Sequence, residues 1–83
     1  MNDEELFLGG KRILEKIFSN SSTILRAEYD TATKKLVVLF SGGSTYQYSG
    51  VPEEIAKELF ASESPGKYLN DHIKKGFYAF KKL

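Results

Sequence analysis

The chain has no cysteine and a single histidine in 83 residues. The first absence removes disulfide frameworks, Cys-based zinc sites and thiol nucleophiles. The second argues against a His-based metal site and a Ser-His-Asp triad. No apolar run approaches the roughly 18 residues that would cross a membrane. The opening residues Met1-Asn2-Asp3-Glu4-Glu5 are acidic, the wrong sign for a secretory leader, so a cytoplasmic domain free of membranes is expected. A Gly-rich phosphate loop is also missing. Ser41-Gly42-Gly43-Ser44 is too short and falls between strands rather than before a helix. His72 has no acid or base partner on its own helical face and is expected to be a packed, hydrogen-bonded residue. No constellation for catalysis remains, and no enzyme activity, metal or cofactor is expected.

What is present suffices for one small domain. Hydrophobic residues make up 41% of the chain and aromatics 13%, with a net charge of +1, which excludes intrinsic disorder. The charge is unevenly placed. Residues 1–65 hold seven Lys/Arg against ten Asp/Glu, whereas residues 66–83 hold five Lys against one Asp. An acidic body therefore carries a basic C-terminal end. Such asymmetry points either to nucleic acid or another acidic partner, or to a solvated lysine-rich helix end that suits the helix dipole.

Ile13, Leu14, Ile17 and Phe18 fall on one helical stripe, so an N-terminal helix is expected to start near Lys11, after the Gly9-Gly10 interruption. This helix belongs to an extension over residues 1–20, whose apolar arm Leu6-Phe7-Leu8 would contact a protein partner or form a homodimer seam. The middle reads as strands. Leu25 to Asp30 alternate apolar and charged residues, Leu36-Val37-Val38-Leu39-Phe40 is continuously apolar, and Thr45-Tyr46-Gln47-Tyr48 alternates again. Short turn signals at Asp30–Thr33 and Ser41–Ser44 join them into an antiparallel meander. Tyr46 and Tyr48 share a sheet face, but which face depends on the hairpin register. A Gly42-Gly43 loop sets Leu39 opposite Tyr46, whereas a three-residue loop sets Phe40 opposite Tyr46 and Val38 opposite Tyr48.

Pro52, Glu53 and Glu54 mark a helix start, followed by the stripe Ile55, Ala56, Leu59 and Phe60. Ser64-Pro65 opens a last helix with Leu69, Ile73, Gly76, Phe77 and Phe80 on one face. On that helix Lys67, Lys74 and Lys81 line up at spacing seven, with Lys75 and Lys82 across the same polar face and Tyr78 between the rows. Lysines that track phosphates around a ring that stacks a base is one arrangement that holds single-stranded nucleic acid. A solvent-facing Tyr shielding lysine stems is the other reading. The expected fold is α+β: a three-stranded antiparallel β-meander with an N-terminal helix and two C-terminal helices packed on the sheet. Leu36, Val38, Phe40, Ile73 and Phe77 would form its core, and the N-terminal helix would cover Val37 and Leu39.

From Ser21 onward the chain resembles the KTSC domain, a small bacterial and phage module also found at the C-terminus of some lysyl-tRNA synthetases. The matching residues are Ser21-Ser22-x-Ile24, Tyr29-Asp30, Leu36-x-Val38-x-Phe40 and Gly43. They continue through Tyr46-x-Tyr48, Val51-Pro52, Leu59, Ser64, Gly66-x-Tyr68, Asn70, Ile73 and Lys74. Leu69, Lys74 and Phe77 stand where Phe, Arg and Tyr are usual. The resemblance makes residues 21–83 a single KTSC-like unit and implies a β-meander followed by helical residues. RNA binding has been suggested for the family. The expected function is a non-enzymatic nucleic-acid-binding module, most simply for RNA, carried by Lys67, Lys74, Lys75, Tyr78, Lys81, Lys82, Tyr46 and Tyr48. The alternative is a protein-interaction module or a phage-type accessory or inhibitor protein acting on a host partner, as a monomer or weak homodimer.

Overall fold

The computed structural model describes residues 3–8, 11–19, 21–75 and 78–83, with side chains from Arg12 onward. Six strands occur among them: β1 (Asp3–Leu8), β2 (Lys11–Ile17), β3 (Ile24–Asp30), β4 (Lys35–Phe40), β5 (Thr45–Tyr48) and β6 (Phe80–Lys82). They form one antiparallel sheet in chain order. Two helices, α1 (Glu53–Ala61) and α2 (Pro65–Leu69), lie between β5 and β6, and α2 runs on as a π-helical turn over Asn70–Lys74. The α+β class and the central meander β3–β4–β5 match the expectation.

The N-terminal helix does not form. Residues 11–17 are β2, paired antiparallel with β1 up to Leu8 opposite Lys11. The helical spacing of Ile13, Leu14, Ile17 and Phe18 comes from two faces of a strand. Leu14 and Phe18 are buried, whereas Ile13 is half-buried and Ile17 is 54% exposed. Leu6, Phe7 and Leu8 lie in β1, at one edge of the sheet. The final helix is also shorter than its apolar stripe implied. It stops at Lys74, and Phe80, Lys81 and Lys82 form an edge strand against β5. Gly76 and Phe77 lie outside the described residues.

Both helices cover the same sheet face. One row of paired residues crosses the sheet as Leu14, Tyr29, Leu36 and Tyr48, all buried, against Val51, Ala56, Leu59, Phe60, Leu69 and Ile73. Of the expected core residues, Leu36, Val38 and Ile73 are fully buried, and Phe40 is only partly so. Leu25, expected on the apolar face of β3, is 42% exposed. The pairing shifts between Ile24 and Arg26, so the extra residue turns Ile24 inward in its place.

Val37 and Leu39 occupy the opposite sheet face. Neither described helix covers them, and they share a shallow groove with Arg26, Glu28 and Thr45. Arg26 bridges Glu15 and Glu28 on that face. The Tyr29 hydroxyl donates to the Val51 carbonyl, which ties the sheet to the start of α1. Pro52 caps α1 rather than opening it, and Glu53 and Glu54 occupy its first turn, where the dipole favours negative charge. Pro65 follows its Ser64 cap at the first position of α2, as its fixed φ allows.

Candidate nucleic-acid interface

The hairpin between β4 and β5 decides where the tyrosines go. The Gly43 N–H donates to the Phe40 carbonyl (2.9 Å) and the Phe40 N–H to the Ser44 carbonyl (2.8 Å). The loop is therefore Ser41-Gly42-Gly43, with Gly43 at φ +92°, a conformation that favours glycine. This three-residue connection sets Val38 opposite Tyr46 and Leu36 opposite Tyr48. Neither expected pairing is met residue for residue, because the loop begins at Ser41. The face is nevertheless the one the three-residue alternative implied, shared with Leu36, Val38 and Phe40 and therefore with the helices.

On that face, where the helices leave the β5 end of the sheet uncovered, a cleft of about 350 Å³ opens. Phe40, Ser44, Tyr46, Tyr48, Lys74 and Phe80 line it. The Phe40 and Tyr46 rings meet edge to face with centroids 5.7 Å apart. Phe80 leans over both tyrosines, its centroid 5.9 Å from each. The Lys74 ammonium lies 5.7 Å from the Phe40 ring centre, within cation–π range. Tyr48 is buried at the floor, Tyr46 is half-buried, and Phe80 is 61% exposed, so the last two present ring surface to solvent. Burial, then the neighbouring Tyr46, pushes the Tyr48 phenol above its ordinary pKa.

The cleft brings together Tyr46, Tyr48 and Lys74 from the expected set. Lys82 pairs opposite Tyr46, so it stands beside the cleft on β6. The other candidates are dispersed, because the straight helix that would have aligned them ends before residue 76. Lys81 pairs opposite Gln47 and so falls on the other sheet face. Lys75 lies 3.8 Å from Asp71 in an ion pair one turn apart. Lys67 borders a separate crevice with Ser21, Ser22, Thr23 and Ser64. Tyr78 is half-buried and packed against the core rather than held between lysine rows.

The sequence sets Phe40 in the expected core and Phe80 on the apolar face of the expected last helix, and assigns neither to the site. The aromatic–Ala–aromatic run Tyr78-Ala79-Phe80 is the sequence signal for the return strand. His72 is exposed, and its ring stacks on Tyr68 with centroids 4.4 Å apart. The Tyr68 hydroxyl donates to Glu58 (2.6 Å), and its pKa is pushed up first by burial and then by that carboxylate. No cluster of three or more metal-ligating side chains exists among the described residues. None of the helices described is long and apolar enough to cross a membrane.

The chain is similar to several proteins from bacteria. A family model described as the KTSC domain matches residues 20–78. A protein of Tsukamurella paurometabola is 44% identical over 59 residues, covering 71% of this chain and 88% of that protein. A lysine–tRNA ligase of Nostoc punctiforme is 34% identical over 62 residues, which are 75% of this chain and 11% of the ligase. The crystal structure of a KTSC domain protein from Yersinia pestis superimposes with a TM-score of 0.75 at 32% identity, covering 86% of this chain and 97% of that one.

Proposed function

Since the chain belongs to the KTSC domain family, we propose that it is a non-enzymatic module that binds single-stranded RNA in the aromatic cleft between β4, β5 and β6. The observation that carries this reading is the convergence of two partly open rings, Tyr46 and Phe80, with the Lys74 ammonium at one concave site. Stacking platforms for unpaired bases combine aromatic faces with nearby cations that meet the phosphates. A base stacked on Tyr46 or Phe80 would bring its phosphate toward Lys74 on one side or Lys82 on the other. One relative matched over 75% of this chain is named a lysine–tRNA ligase, and that association with an RNA supports the reading.

Fluorescence titration of a short single-stranded RNA at several salt concentrations tests it. Tyr46→Ala and Phe80→Ala are each expected to weaken binding by about 1–3 kcal/mol with the salt slope unchanged, because stacking releases no counterion. Lys74→Ala should weaken binding and flatten the slope by about one. Lys67→Ala, at a separate crevice, should leave affinity unchanged. Loss of binding with Lys67→Ala, or retention with both aromatic variants, would remove the cleft from the account.

A further inference from the structure

The sheet is open, and its two edges differ in charge. Three rows of paired residues run the whole way from β1 to β6. One reads Asp3, Lys16, Ala27, Val38, Tyr46, Lys82, and the next reads Glu4, Glu15, Glu28, Val37, Gln47, Lys81. These two begin on an acidic residue and end on a lysine, and the third runs from Glu5 to Phe80. We infer that the β6 edge of one molecule pairs with the β1 edge of a second copy, so that the chain associates head to tail into a continuous sheet.

The backbone permits this. The strands alternate in direction and number six, so β6 of one copy meets β1 of the next antiparallel without any reversal. The Leu83 N–H donates to the Thr45 carbonyl and the Ser49 N–H to the Ala79 carbonyl, both 2.8 Å, so the odd-numbered residues of β6 face β5 and the backbone groups of Phe80 and Lys82 turn toward the open edge. On the other side, β2 bonds to β3 through Arg12 (3.1 Å) and Phe18 (2.9 Å), hence through its even-numbered residues. Its odd-numbered residues serve β1 through Glu4 and Leu6, which leaves the backbone groups of Asp3 and Glu5 at the outer edge. Rows continued in the same register put Lys82 opposite Asp3 of the second copy and Lys81 opposite its Glu4. That is one opposite-charge pair in each of two adjacent rows, and opposite charges directly across a ladder stabilise it.

Pairing β6 with β6 about Lys81 or about Lys82 sets like charges against each other, which disfavours a closed dimer in those registers. The second copy is therefore the occupant that charge complementarity selects. Because the two surfaces differ, the contact does not close on itself at two copies.

Sedimentation velocity on the full chain over a wide concentration series, in about 50 mM and about 500 mM salt, reads the outcome. The expected result is a weight-average mass that climbs past twice the 9.4 kDa monomer at low salt and falls back at high salt. Two variants sharpen it, with circular dichroism melts confirming that each is folded. Asp3→Lys with Glu4→Lys makes both edges basic, and Lys81→Glu with Lys82→Glu makes both acidic. Each alone should stay at 9.4 kDa, and an equimolar mixture should recover the growth, because the altered edges now complement each other. A wild-type chain that is monomeric throughout, one that stops at a dimer, or growth indifferent to salt and to both variants would overturn the inference.

Discussion

Tyr29 shows how a single side chain joins the layers of this protein. Its ring is buried in the row between Leu14 and Leu36, and its hydroxyl reaches the Val51 carbonyl ahead of α1. Burial, followed by the charges of Glu53 and Asp30, raises its pKa from 10.0. Tyr48 and Tyr68 are raised as well, burial being the first cause in both. A raised phenol keeps its proton in the folded state while the unfolded chain ionises. The stabilisation is therefore present below about pH 10 and is lost as pH climbs above it. Thermal melts between neutral pH and pH 11 should show the midpoint falling once pH passes about 10, and Tyr68→Phe should reduce the size of that fall.

Gly66 makes a second residue-scale argument. A Cβ built there would lie 2.8 Å from the Thr23 Cβ, so α2 approaches the segment before β3 as closely as only glycine permits. Gly66→Ala should cost about 1–3 kcal/mol in urea unfolding, and Thr23→Gly should recover part of that loss. Ile73→Ala should cost more, about 2–5 kcal/mol, because Ile73 is fully buried. The expected weight of Phe40 falls accordingly, since its ring is a wall of the cleft rather than the centre of the core.

At the scale of elements, the parts legible in the sequence were those whose local pattern and tertiary fate agree. Strands β3, β4 and β5 alternate or run apolar as strands should, and α1 carries its start signals and its stripe in one segment. The two ends were misread for one reason. An i, i+4 repeat of apolar residues also fits a two-sided strand, and only the partner strand resolves the ambiguity. Ile13 and Ile17 lie on the face opposite Leu14 and Phe18, and Leu8 pairs opposite Lys11, so the chain reverses direction where a helix was expected to start. The residue-by-residue register of β4 and β5 was equally hidden, because Ser41-Gly42-Gly43-Ser44 allows loops of two or three residues.

The hairpin lies outside the residues matched by the family model, yet it contributes Leu14 and Phe18 to the core. Phe18 meets the Phe60 ring edge to face at 6.4 Å. Deleting residues 1–18 should therefore lower the melting temperature as well as expose apolar surface, since two buried aromatic or aliphatic side chains are each worth about 1.5–3 kcal/mol. A truncated chain as stable as the full one would show that β2 is ornamental.

Over the whole molecule, charge and shape diverge in a way that composition alone could not reveal. The basic C-terminal segment noted in the sequence is real, but the fold divides it among a cleft wall at Lys74, an ion pair at Lys75, a separate crevice at Lys67 and a sheet edge at Lys81 and Lys82. The candidate site consequently rests on fewer cations and more rings than the helical arrangement implied. Aromatic recognition should then dominate over electrostatic attraction, giving a shallow salt dependence close to that of one or two phosphate contacts. The most direct measurement is amide chemical-shift mapping of the isotope-labelled full chain titrated with a short single-stranded RNA. The account expects saturable shifts concentrated at Phe40, Ser44, Tyr46, Lys74 and Phe80. Shifts centred on Lys67 and Ser21 to Thr23, or none at all at a concentration of RNA well above that of the protein, would contradict it.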